Sequence, residues 1–279
     1  MTAEADREPV SLPNLAWLKK LGNTVVDLLF PPRCVGCQRF GAWLCDRCLD
    51  AIERIHPPVC PRCGWPLESS PPFDPDASGR ASSGYHRCHE SPAQPDRLLA
   101  CAFHAGPLRE AIHRLKYENL RVMAVPLGRL MAQAWTELAP ADQPIDAIVP
   151  VPLHVSRERE RGYNQATLLA RELSLHLGRP MVEDTLVRTR HTRAQVGLDP
   201  KARQANVRGA FACVNTRLTG SRVLLVDDVC TTSSTLGAAS SALREGGVSS
   251  VWAYTLARAR LGTGPVADKP IDEESGKWN

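Results

Sequence analysis

With 279 residues, 43% of them hydrophobic and 23% charged, and a formal net charge of +4, the chain has material for a buried core and is only mildly basic. This balance excludes wholesale disorder, and it permits an anionic partner without demanding one. The most apolar early segment, Val25 to Phe30, is far too short to span a bilayer, and the polar start MTAEADREPV has no secretory core, so a cytoplasmic location and no membrane span are expected.

Read in chain order, NLAWLKKLGNTVVDLLF has helical spacing of Leu15, Leu18, Leu21, Val25, Leu28 and Leu29, predicting an N-terminal helix within residues 1–30. A cysteine-rich module follows over residues 31–95. Eight of the ten cysteines lie between Cys34 and Cys101, and a cytosolic chain keeps its thiols reduced, so metal ligation is expected rather than disulfides. Within this module SSPPFDPDASGRASSG, residues 69–84, reads as a flexible insertion. Residues 96–261 alternate strand-like and helical patterns, which implies a parallel α/β sheet. RLLACAFH, DAIVPVPL, SRVLLVDDV and VSSVWAYTLAR read as strands. The long stretch from Pro107 to Leu138 reads as helix in two pieces, divided near Pro126, and NQATLLARELSLHLG as a helix ended by Gly178. A further helix is expected from Thr232 to Glu245, and residues 262–279 read as a disordered tail.

Cys34-x2-Cys37, Cys45-x2-Cys48 and Cys60-x2-Cys63 are three knuckles of one form. A knuckle brings two thiolates to one ion, and two knuckles complete a tetrahedral zinc site. The first two knuckles make a full four-cysteine set. The third needs partners from YHRCHE, where Cys88 is one; Tyr85 stands where a fourth knuckle would be completed, leaving His86 or His89 for the last position. Closed four-ligand sites are structural, so zinc is expected to fold this module. Arg33, Arg39, Arg47, Arg54, Arg62 and Arg87 decorate the knuckles and suit nucleic-acid phosphates as well as a solvated surface.

The run Val223 to Val226 has the continuous aliphatic character of a central parallel strand, so Asp227 and Asp228 emerge at its carboxyl end, where open α/β sheets bind ligands. Thr231, Thr232, Ser233, Ser234 and Thr235 then occupy the turn and the first helical positions. Free N–H groups at a helix start attract an anion, and hydroxyls add donors. A phosphate on the turn and vicinal hydroxyls on the carboxylates would satisfy both halves, which describes a phosphorylated sugar.

The segment VLLVDDVCTTSSTL resembles the phosphoribosyl-pyrophosphate signature of type I phosphoribosyltransferases. Ser233 stands where that signature has glycine, a residue suited to left-handed backbone, and serine is expected to distort the turn. FPPRCVGC, LCDRC, CPRCGWPL, AIHRLKY, VPVPLHVSRERERGYNQATLLAREL and RTRHTRAQVGLDPKARQANVRGAF together resemble the ComF family, over about Leu28 to Arg260. The resemblance implies a type I phosphoribosyltransferase-like α/β domain behind a small zinc-ribbon module. It also implies Mg²⁺ with phosphoribosyl pyrophosphate, and a connection to DNA uptake. Asp227 and Asp228 would hold ribose hydroxyls and the turn 231–235 the 5′-phosphate. The loop with His154, Arg157, Arg161, Gly162, Asn164 and Gln165 would face pyrophosphate, and Lys116 and Tyr117 would reach the same pocket. Gln195 and Asn206, in the basic stretch from Arg188 to Arg208, match further polar positions of the family. Three functions are compatible with these residues. They are a Mg²⁺-dependent phosphoribosyltransferase, a non-catalytic factor handling single-stranded DNA with DNA-uptake partners, and a sensor of phosphoribosyl pyrophosphate.

Overall fold

The structure is a computed structural model and describes residues 31–67, 94–140, 144–190, 207 and 209–260. The helix expected within residues 1–30, the insertion 69–84, the tail 262–279, and the ligand candidates His86, Cys88 and His89 lie outside the described residues. Gln195 and Asn206 lie outside them as well.

Four parallel strands form the central sheet: β1 (Arg97–Phe103), β2 (Ala147–Pro150), β5 (Arg222–Cys230) and β6 (Ser250–Arg258), in the order β1-β6-β5-β2. Strands buried on both faces need no polar alternation, and Val223 to Val226 are wholly buried. Leu224 and Val226 pack with α2 (Gly106–Tyr117), α3 (Ala124–Leu138) and α5 (Gln165–Leu177). Val223 and Leu225 pack with α6 (Ser234–Glu245) and a small antiparallel hairpin of β3 (Leu186–Arg188) and β4 (Phe211–Cys213) on the other face.

The strand carrying the aspartates, read as SRVLLVDDV, runs one residue further to Cys230, because Val229 pairs with Ala257 and Cys230 with Arg258 of β6. Two expectations are corrected. The helical stretch after Ala105 breaks upstream of Pro126, where Asn119 has φ 55° and Arg121–Met123 form a 3₁₀ turn. Pro126 itself sits in the first turn of α3, where its missing N–H costs no helix bond. Secondly, residues after the strand DAIVPVPL form not a loop but a short helix, α4 (Val155–Arg161), none of whose residues is buried.

The cysteine module rests on the sheet's open edge. Backbone bonds from Ile55 N–H to the Cys101 carbonyl (2.9 Å), from Phe103 N–H to the Glu53 carbonyl (2.9 Å) and from Leu98 N–H to the Arg62 carbonyl (2.8 Å) tie it to β1. Trp65 meets Phe103 edge-on with ring centroids 6.0 Å apart. Both modules contribute to one core, with Val35, Leu44, Ile52 and Ile55 joining Leu108 and Ile112. Among the described residues no helix is long and apolar enough to cross a membrane.

Gly64 sits at the closest approach of module and sheet. Its φ is +67°, and a Cβ there would stand 2.3 Å from the Leu98 carbonyl oxygen. Gly64→Ala is therefore expected to destabilise the protein by about 1–3 kcal/mol, read as a lower urea midpoint at unchanged slope. An unchanged midpoint would show that this contact yields freely.

Candidate functional site

The first two knuckles fold onto a single point. The four sulfurs of Cys34, Cys37, Cys45 and Cys48 lie within 4.8 Å of one another, and Cys37 Sγ is 3.6 Å from Cys45 Sγ. Four thiolates around one zinc stand roughly 3.8 Å apart, from a Zn–S bond of about 2.3 Å, so the set fits that ion. Cys45 and Cys48 bracket the start of the short helix α1 (Asp46–Asp50), which is how two residues three apart face one centre. Burial pushes the Cys34 thiol up, but backbone N–H groups of Cys45, Cys37 and Gly36 overcome this and hold it at about 7. Cys48 is pushed up by burial and by the neighbouring sulfurs of Cys34, Cys37 and Cys45. A Cβ at Gly36 would stand 2.8 Å from Cys48 Sγ, so the knuckle turn leaves no room for a side chain. This is a structural zinc site.

The third knuckle repeats the first bond for bond. Cys34 N–H donates to the Arg39 carbonyl and Gln38 N–H to that of Cys34; Cys60 N–H donates to the Trp65 carbonyl and Gly64 N–H to that of Cys60. The flanking bridges Arg33↔Phe40 and Val59↔Pro66 match as well. Cys60 is buried and Cys63 half-buried.

At the other end of the protein the pleat of β5 decides the geometry. Successive side chains on a strand point to opposite faces, so the adjacent carboxylates part company. Asp228 lies on the side of α2, where Lys116 Nζ comes within 2.9 Å of its Oδ2. That oxygen is buried and makes no well-aligned hydrogen bond, so the contact is ionic. Asp227 lies toward the hairpin, and its Oδ1 accepts the Asp228 N–H at 2.8 Å. Desolvation, then the Asp228 charge, raises its pKa to about 7 against the pull of Lys116 and Arg188. Arg188, at the end of β3, is itself lowered by desolvation and by Arg157, and raised by Asp227. Arg188 was legible only as part of a basic stretch; its place beside the carboxylate comes from the hairpin.

The hydroxyl turn follows at once. Thr231 is exposed, while Thr232, Ser233, Ser234 and Thr235 are half-buried. Thr232 Oγ1 lies 3.0 Å from Ser234 Oγ. Helix α6 begins at Ser234 rather than Thr232, and its N-cap, Ser233, is left-handed (φ 55°, ψ 4°) with no side-chain cap bond. The glycine-like conformation is thus kept by a serine, at a cost of roughly 1–2 kcal/mol.

From the β2 side, Arg157 and Arg161 lie on α4 and are half-buried. Arg161 donates to the Gln165 side chain and lies 5.4 Å from the Tyr117 ring centre. Gln165 is buried. Gly162 caps α4 with φ 79°, and its carbonyl accepts from Arg121 Nη2 at 3.1 Å, a brace the sequence did not signal. Asn164 is buried and committed to the backbone: Nδ2 donates to the Val151 carbonyl at 2.9 Å and Oδ1 accepts the Ala166 N–H at 3.0 Å. His154 accepts from the Ser156 N–H as the N-cap of α4.

A parallel sheet whose central strand ends in paired aspartates and a hydroxyl turn, with a thiolate ribbon on its edge, defines a phosphoribosyltransferase-type fold joined to a zinc ribbon. Family comparison agrees: residues 25–83 match the double zinc ribbon domain and residues 159–279 the phosphoribosyl transferase domain. Competence protein F of Haemophilus influenzae is 34% identical, covering 77% of this chain and 90% of that one. DNA utilization protein YhgH of Escherichia coli K12 is 32% identical over 83% of this chain and 99% of that one. Competence protein ComFC of Bacillus subtilis is 24% identical over 77% and 84%. The chain belongs to the ComF family.

Two measurements follow. Metal analysis should return about two zinc ions per chain and Cys37→Ser about one; an unchanged count would remove Cys37 from the ligand set. The raised pKa of Asp227 means the folded protein favours its protonated form. Its contribution to stability is full below the unfolded carboxyl value near 4 and is lost as pH rises to about 7. Asp227→Asn should therefore be more stable than the native protein at pH 8, with the difference closing toward pH 4. Parallel stability curves for the two proteins would refute this.

Proposed function

We propose that the protein binds phosphoribosyl pyrophosphate, or a closely related sugar phosphate, and acts as a phosphoribosyltransferase. The observation that carries this reading is the pair Asp227 and Asp228 near the carboxyl end of β5, two residues before a hydroxyl turn that opens α6. In this reading the turn 231–235 takes the 5′-phosphate on helix N–H groups and hydroxyls. Asp227 and Asp228 accept bonds from the two ribose hydroxyls. Arg157 and Arg161 on α4 face pyrophosphate, and Arg188 closes over the site from the hairpin. Lys116 pairs with Asp228 and in this reading turns toward the ligand's phosphates.

Transfer breaks the bond between the anomeric carbon and pyrophosphate while an acceptor forms a new one. These cations stabilise the negative charge that gathers on the leaving oxygen. Mg²⁺, arriving with the ligand, would add further charge neutralisation. Asp227, the carboxylate not already paired with Lys116, would hold it together with the ligand's own oxygens, an oxygen-only donor set of the kind it prefers.

A second reading is favoured by the surface of the ribbon and by the names of the relatives. Arg33 stands 4.3 Å over the ring of Phe40, which is 61% exposed, and cation-flanked aromatics suit single-stranded DNA. The curated relatives are named for competence and DNA utilization. In this reading the transferase fold serves a DNA-handling factor without turnover.

Calorimetric titration with phosphoribosyl pyrophosphate and Mg²⁺ tests the first reading. Binding is expected, and Asp227→Ala with Asp228→Ala should weaken it by at least tenfold; no binding by the native protein would sink it. A salt series with single-stranded DNA tests the second, since affinity must fall as salt rises. No complex at low salt would end it.

A further inference from the structure

Ser233 departs from the glycine expected at its position, yet it is held in a glycine-like conformation, and the structure contains what holds it. Its Oγ lies 2.7 Å from the Thr232 carbonyl oxygen and 3.1 Å from the side-chain amide of Gln94, a residue 139 positions away. The structure presents Gln94 Oε1 to the Ser233 hydroxyl, whose single proton makes one full bond at a time. With the amide turned so that its NH₂ faces Ser233, both contacts would be satisfied, Gln94 donating to Oγ and Oγ donating to the Thr232 carbonyl.

Gln94 is itself anchored. Its carbonyl accepts from Arg244 Nη1 at 3.0 Å, in the last turn of α6, and Arg244 Nη2 pairs with Asp96 at 2.6 Å. Asp96 also accepts from Ser250 Oγ and the Val251 N–H, both at 2.8 Å, at the start of β6. Residues 94–96 therefore touch α6 at both ends and fasten it to the sheet. This segment is also where the chain leaves the cysteine module for β1.

We infer that Gln94 is a positioning residue: through Ser233 it latches the turn 231–235 in its ligand-ready shape before any ligand arrives. A glycine at 233 would adopt the same backbone but could not be held, so in this chain the serine hydroxyl substitutes an external tether for intrinsic freedom. This rests on the reading of that turn as a phosphate cradle.

The test compares the native protein with Gln94→Leu, Ser233→Gly and the double variant. Hydrogen–deuterium exchange of peptides covering residues 231–237 is read first, without ligand. Gln94→Leu should speed exchange there by about three- to tenfold, the worth of one hydrogen bond, while peptides of β5 up to Val226 stay protected. In the Ser233→Gly background Gln94→Leu should add nothing. Unchanged exchange in Gln94→Leu, or an undiminished effect of Gln94→Leu beside Gly at 233, would overturn the latch. Titration with phosphoribosyl pyrophosphate and Mg²⁺ then reads whether affinity falls by the same factor. Failure of the native protein to bind would sink the sugar-phosphate reading alone, because exchange reports the latch without ligand.

Discussion

The pleat turns two neighbouring carboxylates on one strand toward opposite faces of the sheet, so each meets its nearest side-chain cation from a different layer. The arrangement of the carboxyl edge of β5 follows from that constraint. Asp228 faces the helical layer and takes Lys116 from the end of α2; Asp227 faces the hairpin and comes under the charge of Arg188. Removing a buried carboxylate's partner costs several kcal/mol, so these cations restrain their elements as well as the charge. What keeps the strand end in place is the run before it. Val223 to Val226 are wholly buried, each contributing about 1.5–3 kcal/mol, enough to carry an acidic pair out to the edge.

The two modules solve comparable problems of charge. In the ribbon, four thiols converge so closely that they cannot all ionise without a cation between them, and backbone N–H groups already favour the thiolate at Cys34. At the sheet edge, two acids are separated by the strand and neutralised by side chains from different layers. The first arrangement calls for a permanent ion. The second leaves Asp227 able to gain or lose a proton near neutrality, which is a property suited to exchangeable ligands.

Much of this was legible in the sequence, for physical reasons that also mark its limit. Aliphatic runs, knuckle spacings and the acidic pair before a hydroxyl turn are local patterns, and the sheet, the ribbon and the acidic edge of β5 follow from them. Element ends depend on partners far away: β5 runs on to Cys230 because β6 offers matching groups. Helix α4, with the sequence VSRERER, buries no residue and so has no apolar stripe to reveal it. Lys116 was named through a family resemblance, but its carboxylate lies 112 positions away. Asn164 and Gln165 illustrate the opposite case, since residues named for a ligand are buried, and Asn164 is committed to capping and bracing the backbone. No local signal leads from Gln94 to Ser233.

The contact between the ribbon and β1 has a bearing on what zinc protects. A parallel sheet ending in an open strand offers a row of unpaired backbone groups to any other chain. Here residues 53–55, a few positions beyond the Cys48 ligand, lie antiparallel along that strand through the Arg54↔Ala102 bridge and its flanking bonds. The metal thus secures the cover of an edge on the far side of β6 from the acidic pair. Stripping it would turn this flank into a template for self-association while the acidic edge of β5 kept its own supports.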